Sequence, residues 1–366
     1  MAGAWFGTRV HTKRLNRFGA FTPNLIGILI VSIFIILYAG WRNNVGDTYY
    51  YLHTYHLLEE GVFEKPAPFS SRYLFELFQY ELIHHNYSQG TFVMVSYLIF
   101  AVPAMIVLAE YSVDYTWAIF FFFVTGTYLA TMNGIRQFMA AGILLIGTWM
   151  LLSPKRVGFI PYLILIIIAF YIHSASLIMI PIYFICRQRA WSLPTVGIIL
   201  AGAAALVFVS LFSSSFMDLL QDTTYSNYTE GWFTEGKETG TTIFRVLVNW
   251  LPAVLAAYYT PQLRTFGPSA DILINISVVH AAIYMISLYN WIFARFTFFT
   301  CIYVILLLAM IMKVISEDPH GKWVPFVAVV LFFIFFVKDA YSNDLPQMYG
   351  SIYFTPNNNK WFEFLA

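Results

Sequence analysis

Four arginines and two proton acceptors carry the chemistry open to this chain. Arg42, Arg136, Arg245 and Arg295 each stand at or just inside one end of an apolar run. Asp47 follows Arg42 by five residues, and His173 closes another such run. Arginine grips phosphate bidentately, keeps its charge at any working pH and sheds water more readily than lysine. Charged side chains beside a bilayer are costly, so by default they mark a pathway or a site. Several guanidinium groups converging on one membrane face suit a multiply charged oxyanion. At the outer leaflet, that points to the diphosphate of a polyprenyl-linked sugar. The plainer alternative is snorkelling at helix ends, or ion pairs with Asp47, Glu76 or Asp218.

Sugar transfer from such a lipid needs two further things. The attacking hydroxyl must lose a proton, so an Asp, Glu or His should lie near the anomeric carbon. The departing diphosphate needs its charge stabilised, which arginines can supply. Asp47 is the first candidate base, or the group that orients the acceptor, because it leaves the same helix end as Arg42. His173 is the second, since an imidazole with a pKa of about 6.5 is neutral at pH 7 and able to accept a proton. Its plainer reading is an interfacial histidine bonded to a backbone carbonyl. His280 falls mid-helix and reads as a core hydrogen-bonder. No Asp-x-Asp motif occurs, so metal-bound nucleotide-sugar chemistry has little support, and no metal or other cofactor is expected. Tyr51, Tyr55 and Trp291 have faces on which sugar rings can stack, although aromatics of a membrane belt need no such role.

Positioning these groups falls to a helical membrane scaffold. Hydrophobic residues make up 59% of the 366 and charged ones 11%, where a soluble domain carries roughly 25% charged. Several apolar runs reach the roughly 20 residues that cross hydrocarbon as a helix. The expected fold is an all-α polytopic membrane protein: one bundle of about 11 transmembrane helices, with no repeat and no second domain. The net charge of +1 gives no reason to expect nucleic acid. Cys186 and Cys301 lie inside apolar runs and read as small buried hydrophobes rather than a disulfide or a zinc pair.

Arg9, Lys13, Arg14 and Arg17 precede the first apolar run, at 23–39, and no cleavage site follows it. A retained helix with residues 1–20 as a cytoplasmic tail is therefore expected. Its far end delivers Arg42 and Asp47 to the external face. Residues 41–90 are too charged to span. Within them, 71–85 show the apolar spacing of a helix lying in the interface, with Arg72, Glu76, Glu81, His84 and His85 on its wet face. Further spans are expected at 91–109, 116–132, 133–152 and 158–171, then one ending at Cys186. Five more follow, at 193–212, 243–259, 271–288, 292–312 and 323–337. A second external segment covers 213–242 and an external tail 338–366. On this topology eleven of the 20 basic residues lie inside and nine outside. Arg42, Arg136, Arg245 and Arg295 are the ones that defy the positive-inside rule.

In order along the chain, four short motifs resemble those of the EpsG family of exopolysaccharide polymerases. Arg42-x3-Gly46-Asp47-Thr48, with Tyr51 and Tyr55 behind it, is similar to the family's opening motif. Asn133-Gly134-Ile135-Arg136-Gln137-Phe138-Met139-Ala140 resembles its second. His173-Ser174-Ala175-Ser176 with Pro181 resembles the third, and Phe293-Ala294-Arg295-Phe296 the fourth. The likeness runs from about residue 25 to 355. It implies a Wzy-like, GT-C-like polymerase of a bacterial cell membrane, joining polyprenyl-diphosphate-linked oligosaccharide repeat units outside the cell. One lipid-linked chain is then the donor, and the non-reducing end of another is the acceptor. The polymer is of the capsule or biofilm kind, and other polysaccharide-assembly proteins are candidate partners. The resemblance places Arg42, Asp47, Arg136, His173 and Arg295 in the site and leaves the identity of the base open. Gln137, beside Arg136, joins Tyr51, Tyr55 and Trp291 as a sugar-binding candidate.

Three other functions fit parts of the pattern. A flippase for the same lipid also needs arginines, but the expected paired halves with midplane helix breaks are not found, and the polar residues crowd one face. A ligase moving a finished glycan to another acceptor is the nearest enzymatic rival. A membrane O-acyltransferase could use His173 as its base.

Overall fold

The computed structural model describes residues 14–43, 45–61, 65–68, 70–154, 158–211, 240–318 and 323–342. Most of the basic tail, residues 213–239 of the second external segment and the tail beyond 342 lie outside these. Among the described residues, apart from an isolated bridge between Leu15 and Phe21, the regular structure is helical. The chain forms α1 (Leu25–Gly40), α2 (Thr48–Glu60), α3 (Tyr73–His84), α4 (Gln89–Tyr111), α5 (Tyr115–Val124) and α6 (Ile135–Ile146). It continues with α7 (Phe159–Phe170), α8 (Met179–Ile185), α9 (Leu193–Leu211), α10 (Ile243–Leu263), α11 (Ser269–Ile286), α12 (Cys301–Glu317) and α13 (Val324–Ser342). Two 3-10 helices, Ser174–Ile178 and Trp291–Phe299, lead into α8 and α12.

The apolar segments fall where expected, but their regularity does not persist across whole spans. Among the described residues three helices, Gln89–Tyr111, Ile243–Phe266 and Ser269–Ile286, are long and apolar enough to cross a membrane. The bent pair Trp291–Phe299 and Cys301–Glu317 adds a fourth if counted as one span. The count of about 11 is therefore not reached by length and composition alone. The third and fourth expected spans each break, after Val124 and after Ile146. The tenth turns by 71° at Thr300. A 12-residue helix such as α6 is about 18 Å long, well short of the hydrocarbon thickness of about 30 Å. Thr48–Glu60, expected only as part of a polar-aromatic segment, is helical because no Gly or Pro interrupts it and Leu52 and Tyr55 bury on one side.

α12 is buried at every residue from Cys301 to Met312 and forms the axis of the bundle. α4 packs between α1 and α6, while α11 packs against α9, α10 and α12. The α4–α6 crossing needs Gly142, where a Cβ would meet the Ile99 carbonyl oxygen at 2.3 Å. Exposed apolar side chains line the outside of α1 and α13, as lipid-facing helices require.

Polar contacts collect at the two ends of the bundle. At one end, Arg264 pairs with Asp271 at 2.9 Å, Ser269 donates to the Leu152 carbonyl, and Arg187 donates to the carbonyls of Tyr183 and Met150. At the other lie Arg42, Asp47, Asn133, Arg136, His173 and Arg295.

Candidate active site

The first motif is a clip built on the loop between α1 and α2. Gly46 has φ +58°, and a Cβ there would meet Asn133 at 2.8 Å, so only glycine lets this loop reach the start of α6. Asp47 then sits against the N-terminus of α6. Its backbone N–H donates to Asn133 Oδ1 at 3.3 Å, and its Oδ1 accepts the Gly134 N–H at 2.8 Å. The second carboxylate oxygen faces Arg295 Nη2 at 3.9 Å. Both side chains of this pair are 18% exposed. Burial raises the Asp47 pKa above the usual carboxylate value, opposed by Arg295, the Gly134 N–H and Arg42. A carboxylate so placed stays close to accepting a proton.

Arg42 does not open onto a ligand space. It is 1% exposed. Its Nε donates to Thr48 Oγ1 at 2.9 Å and to the Met132 carbonyl at 3.1 Å, and its Nη1 donates to the Ala39 carbonyl at 2.7 Å. The guanidinium lies 5.5 Å from the centre of the Tyr97 ring. Thr48 Oγ1 itself donates to the Met132 carbonyl at 3.2 Å. The expectation that Arg42 grips diphosphate is thus corrected: its donors hold α1, α2 and the start of α6 together beneath Asp47.

Arg136 and Arg295 both act electrostatically on His173. Arg136 donates from Nε and Nη2 to the Ile172 carbonyl, both at 3.2 Å, and stacks over Phe75 at 5.2 Å. Phe75 in turn meets Tyr51 edge-on at 5.8 Å, so α2, α3 and α6 converge beneath this arginine. His173 caps the 3-10 helix: its Nδ1 accepts the Ala175 N–H at 3.2 Å. In a neutral imidazole that pattern assigns the proton to Nε2, which makes the second ring nitrogen a donor. Burial and then the charges of Arg136, Arg295 and Arg72 lower the His173 pKa to about 3. His173 is therefore neutral at working pH, but as a hydrogen-bond donor and not as the base considered from sequence.

Arg72 is the residue the sequence reading passes over as surface solvation. It caps α3, is exposed, and acts electrostatically on His173 because Leu74 N–H donates to the Tyr171 carbonyl at 2.9 Å and pins α3 to the end of α7. Nothing in its sequence neighbourhood signals this. Arg72, Arg136 and Arg295 together outnumber Asp47, leaving a cationic cluster around a neutral donor.

Arg295 also borders a cavity of about 350 Å³ that Arg245 lines as well. Gly46 and Asn133, the neighbours of Asp47 in the clip, line the same space. Arg245 is ion-paired with Asp339 of α13, 94 residues away. Trp291 lies over Arg295 at 5.1 Å and borders the cavity. Tyr55 is not accessible: it is fully buried, donates to the Tyr87 carbonyl at 2.9 Å and stacks on Phe92. Gln137 is 5% exposed and packs back toward Gly134, so it too is removed from the expected sugar-binding set. His280 bonds Thr300 at 2.8 Å and Asn249 at 3.1 Å, the core role expected for it. Among the described residues no three His, Cys, Asp or Glu side chains come together as a metal site requires.

The arrangement offers a buried carboxylate, a cluster of guanidinium groups and a neutral donor at one end of a helical bundle. The profile of the EpsG family matches residues 25–359, nearly the whole chain. No curated protein and no solved structure matches it significantly.

Proposed function

The chain belongs to the EpsG family, and from that premise we propose that it polymerises polyprenyl-diphosphate-linked oligosaccharides at the external face of a bacterial cell membrane. The observation that carries this reading is the seat of Asp47, held at the start of α6 by Gly134 and faced by Arg295. A proton acceptor beside a phosphate-gripping side chain is what glycosyl transfer from a lipid diphosphate requires.

In the reaction, a hydroxyl at the non-reducing end of one lipid-linked chain attacks the anomeric carbon of another. The new glycosidic C–O bond forms as the bond from that carbon to the diphosphate oxygen breaks. The hydroxyl proton passes to Asp47, and the lipid diphosphate leaves with the electron pair. Arg295, Arg136 and Arg72 balance the charge that gathers on the diphosphate, with His173 Nε2–H as a neutral donor. Charge-assisted bonds to phosphate are about twice as strong as neutral ones. Arg42 acts through the loop that sets Asp47 and is a positioning residue. Arg245, released from Asp339, supplies a further cation on the cavity side. Breaking the sugar–diphosphate bond provides the driving force, so neither nucleotide sugar nor an ion gradient is consumed.

Purified protein reconstituted with a single lipid-diphosphate-linked repeat unit tests the reading. A ladder of longer lipid-linked products should form with chelator present and nucleotide sugar absent. Movement of the lipid between leaflets without any change in length would establish a flippase instead.

A further inference from the structure

We propose that the cavity beside Arg295 seats the isoprenoid chain of the lipid diphosphate, an inference that rests on the polymerase reading for its choice of lipid. The cavity has two unlike ends. Arg295, Trp291, Asn133 and the ion-paired Arg245 and Asp339 stand at one, where α10 begins and α13 nears its end, and the other is walled further along α12 and α13 by Val304, Ile305, Leu308, Phe332 and Phe335, with Val248 of α10. The polar groups deeper in the space are already satisfied. His280 is bonded on both ring nitrogens, to Thr300 and to Asn249, and the Asn249 amide donates to the Arg245 carbonyl at 2.8 Å. A sugar seated there would leave its hydroxyls facing hydrocarbon, and a small inorganic anion would leave the apolar wall uncovered. An anionic head carrying a hydrocarbon chain matches both ends.

The cavity also lies next to the source of such a molecule. α13 forms its outer wall with Phe332 and Phe335, which are 5% and 4% exposed, while Leu331, Phe333 and Ile334 on the same helix are 60%, 56% and 54% exposed. One helix therefore separates the apolar end from the surrounding lipid. With the diphosphate at Arg295, the anomeric carbon lies toward Asp47 and the chain descends between α10, α12 and α13. Each buried methylene contributes to binding in this seat and none of them reacts, so the chain anchors the substrate without entering the chemistry.

Photolabelling tests the seat without reference to catalysis. The probe is farnesyl diphosphate bearing a benzophenone on its terminal isoprene, with the full-length protein in lipid nanodiscs. Label should map to α12 around Val304–Leu308 and to α13 around Phe332–Phe335, and unlabelled farnesyl diphosphate should compete it away. Val248→Trp, at a half-buried position that tolerates added bulk, and Leu308→Trp each fill the apolar end. Either should cut specific labelling by about tenfold or more, the loss expected when even two buried methylenes are denied their place. Wild-type label spread over the lipid-facing sides of α1 and α13, or label unchanged in Val248→Trp protein of normal elution, overturns the proposal. Specific labelling in a protein that extends no glycan would leave the seat standing and remove the polymerase reading. Extension with no specific labelling would do the reverse.

Discussion

Arg42→Lys separates holding the site together from binding substrate. In the native protein the Arg42 guanidinium is 1% exposed and donates from Nε to Thr48 and Met132 and from Nη1 to Ala39. A lysine ammonium is a single point and cannot serve Ala39 on one side and Thr48 and Met132 on the other. A hydrogen bond to a charged group contributes about 1.5–3 kcal/mol, so losing one or two costs about 2–6 kcal/mol. Against a total stability of about 5–15 kcal/mol that is a large fraction. The assay is thermal unfolding of detergent-solubilised protein followed by fluorescence-detected size exclusion, with extension activity measured on the fraction that stays folded. Arg42→Lys should lower the half-unfolding temperature clearly, while Arg295→Lys should leave it near wild type and lose most extension. An Arg42→Lys protein of native thermal stability that has lost as much activity as Arg295→Lys would refute this reasoning and return Arg42 to the substrate.

Three further outcomes follow from the same geometry. Arg136→Lys should lose most polymer yield with protein levels held, because the Ile172 carbonyl and an incoming phosphate both need the planar fork; near-normal product length on a lipid-glycan gel would contradict it. The His173 pKa is lowered to about 3, so the unfolded state binds a proton first, and this residue's contribution falls as pH drops from about 6.5 toward 3, by about 2 kcal/mol at pH 5. Asp47, with a raised pKa, acts with the opposite sign just above its ordinary value, so the comparison is between wild type and His173→Gln, whose stability–pH curve should be flatter. On orientation, Lys65→Cys should react with an impermeant thiol reagent in intact cells; reaction only after membrane disruption would invert the topology.

The apolar runs of α1, α4, α10 and α11 were legible as helices because length and composition alone decide them. The breaks were not. Gly147 and Thr148 after Ile146, and Thr297 and Thr300 at the bend, interrupt the apolar runs too briefly to end them by hydropathy, and only the packing of α12 and α7 shows why the chain turns there. Residues of the four motifs come together at one end of the bundle, a meeting that their order along the chain does not itself encode. What hydropathy could not distinguish was a guanidinium facing a cavity from one sealed inside, as Arg295 and Arg42 prove to be. Arg72 and Asp339 were missed for a related reason. Their relevance comes from partners about 100 residues away, His173 and Arg245, and no local spacing encodes such a meeting. The tautomer of His173 likewise depends on a backbone N–H two residues on, which only the 3-10 geometry brings to Nδ1.

The central claim is that Asp47 takes the proton of the attacking hydroxyl, and Asp47→Asn tests it most directly. The amide oxygen can still accept the Gly134 N–H, so the clip survives while the base is removed. Binding of the lipid-diphosphate-linked repeat unit and the rate of its extension should be measured on the same purified sample. The account predicts binding close to wild type with extension slowed about 10²–10⁴-fold, the usual loss for a general base. Extension by Asp47→Asn at a rate near wild type, on protein that binds substrate normally, would contradict it.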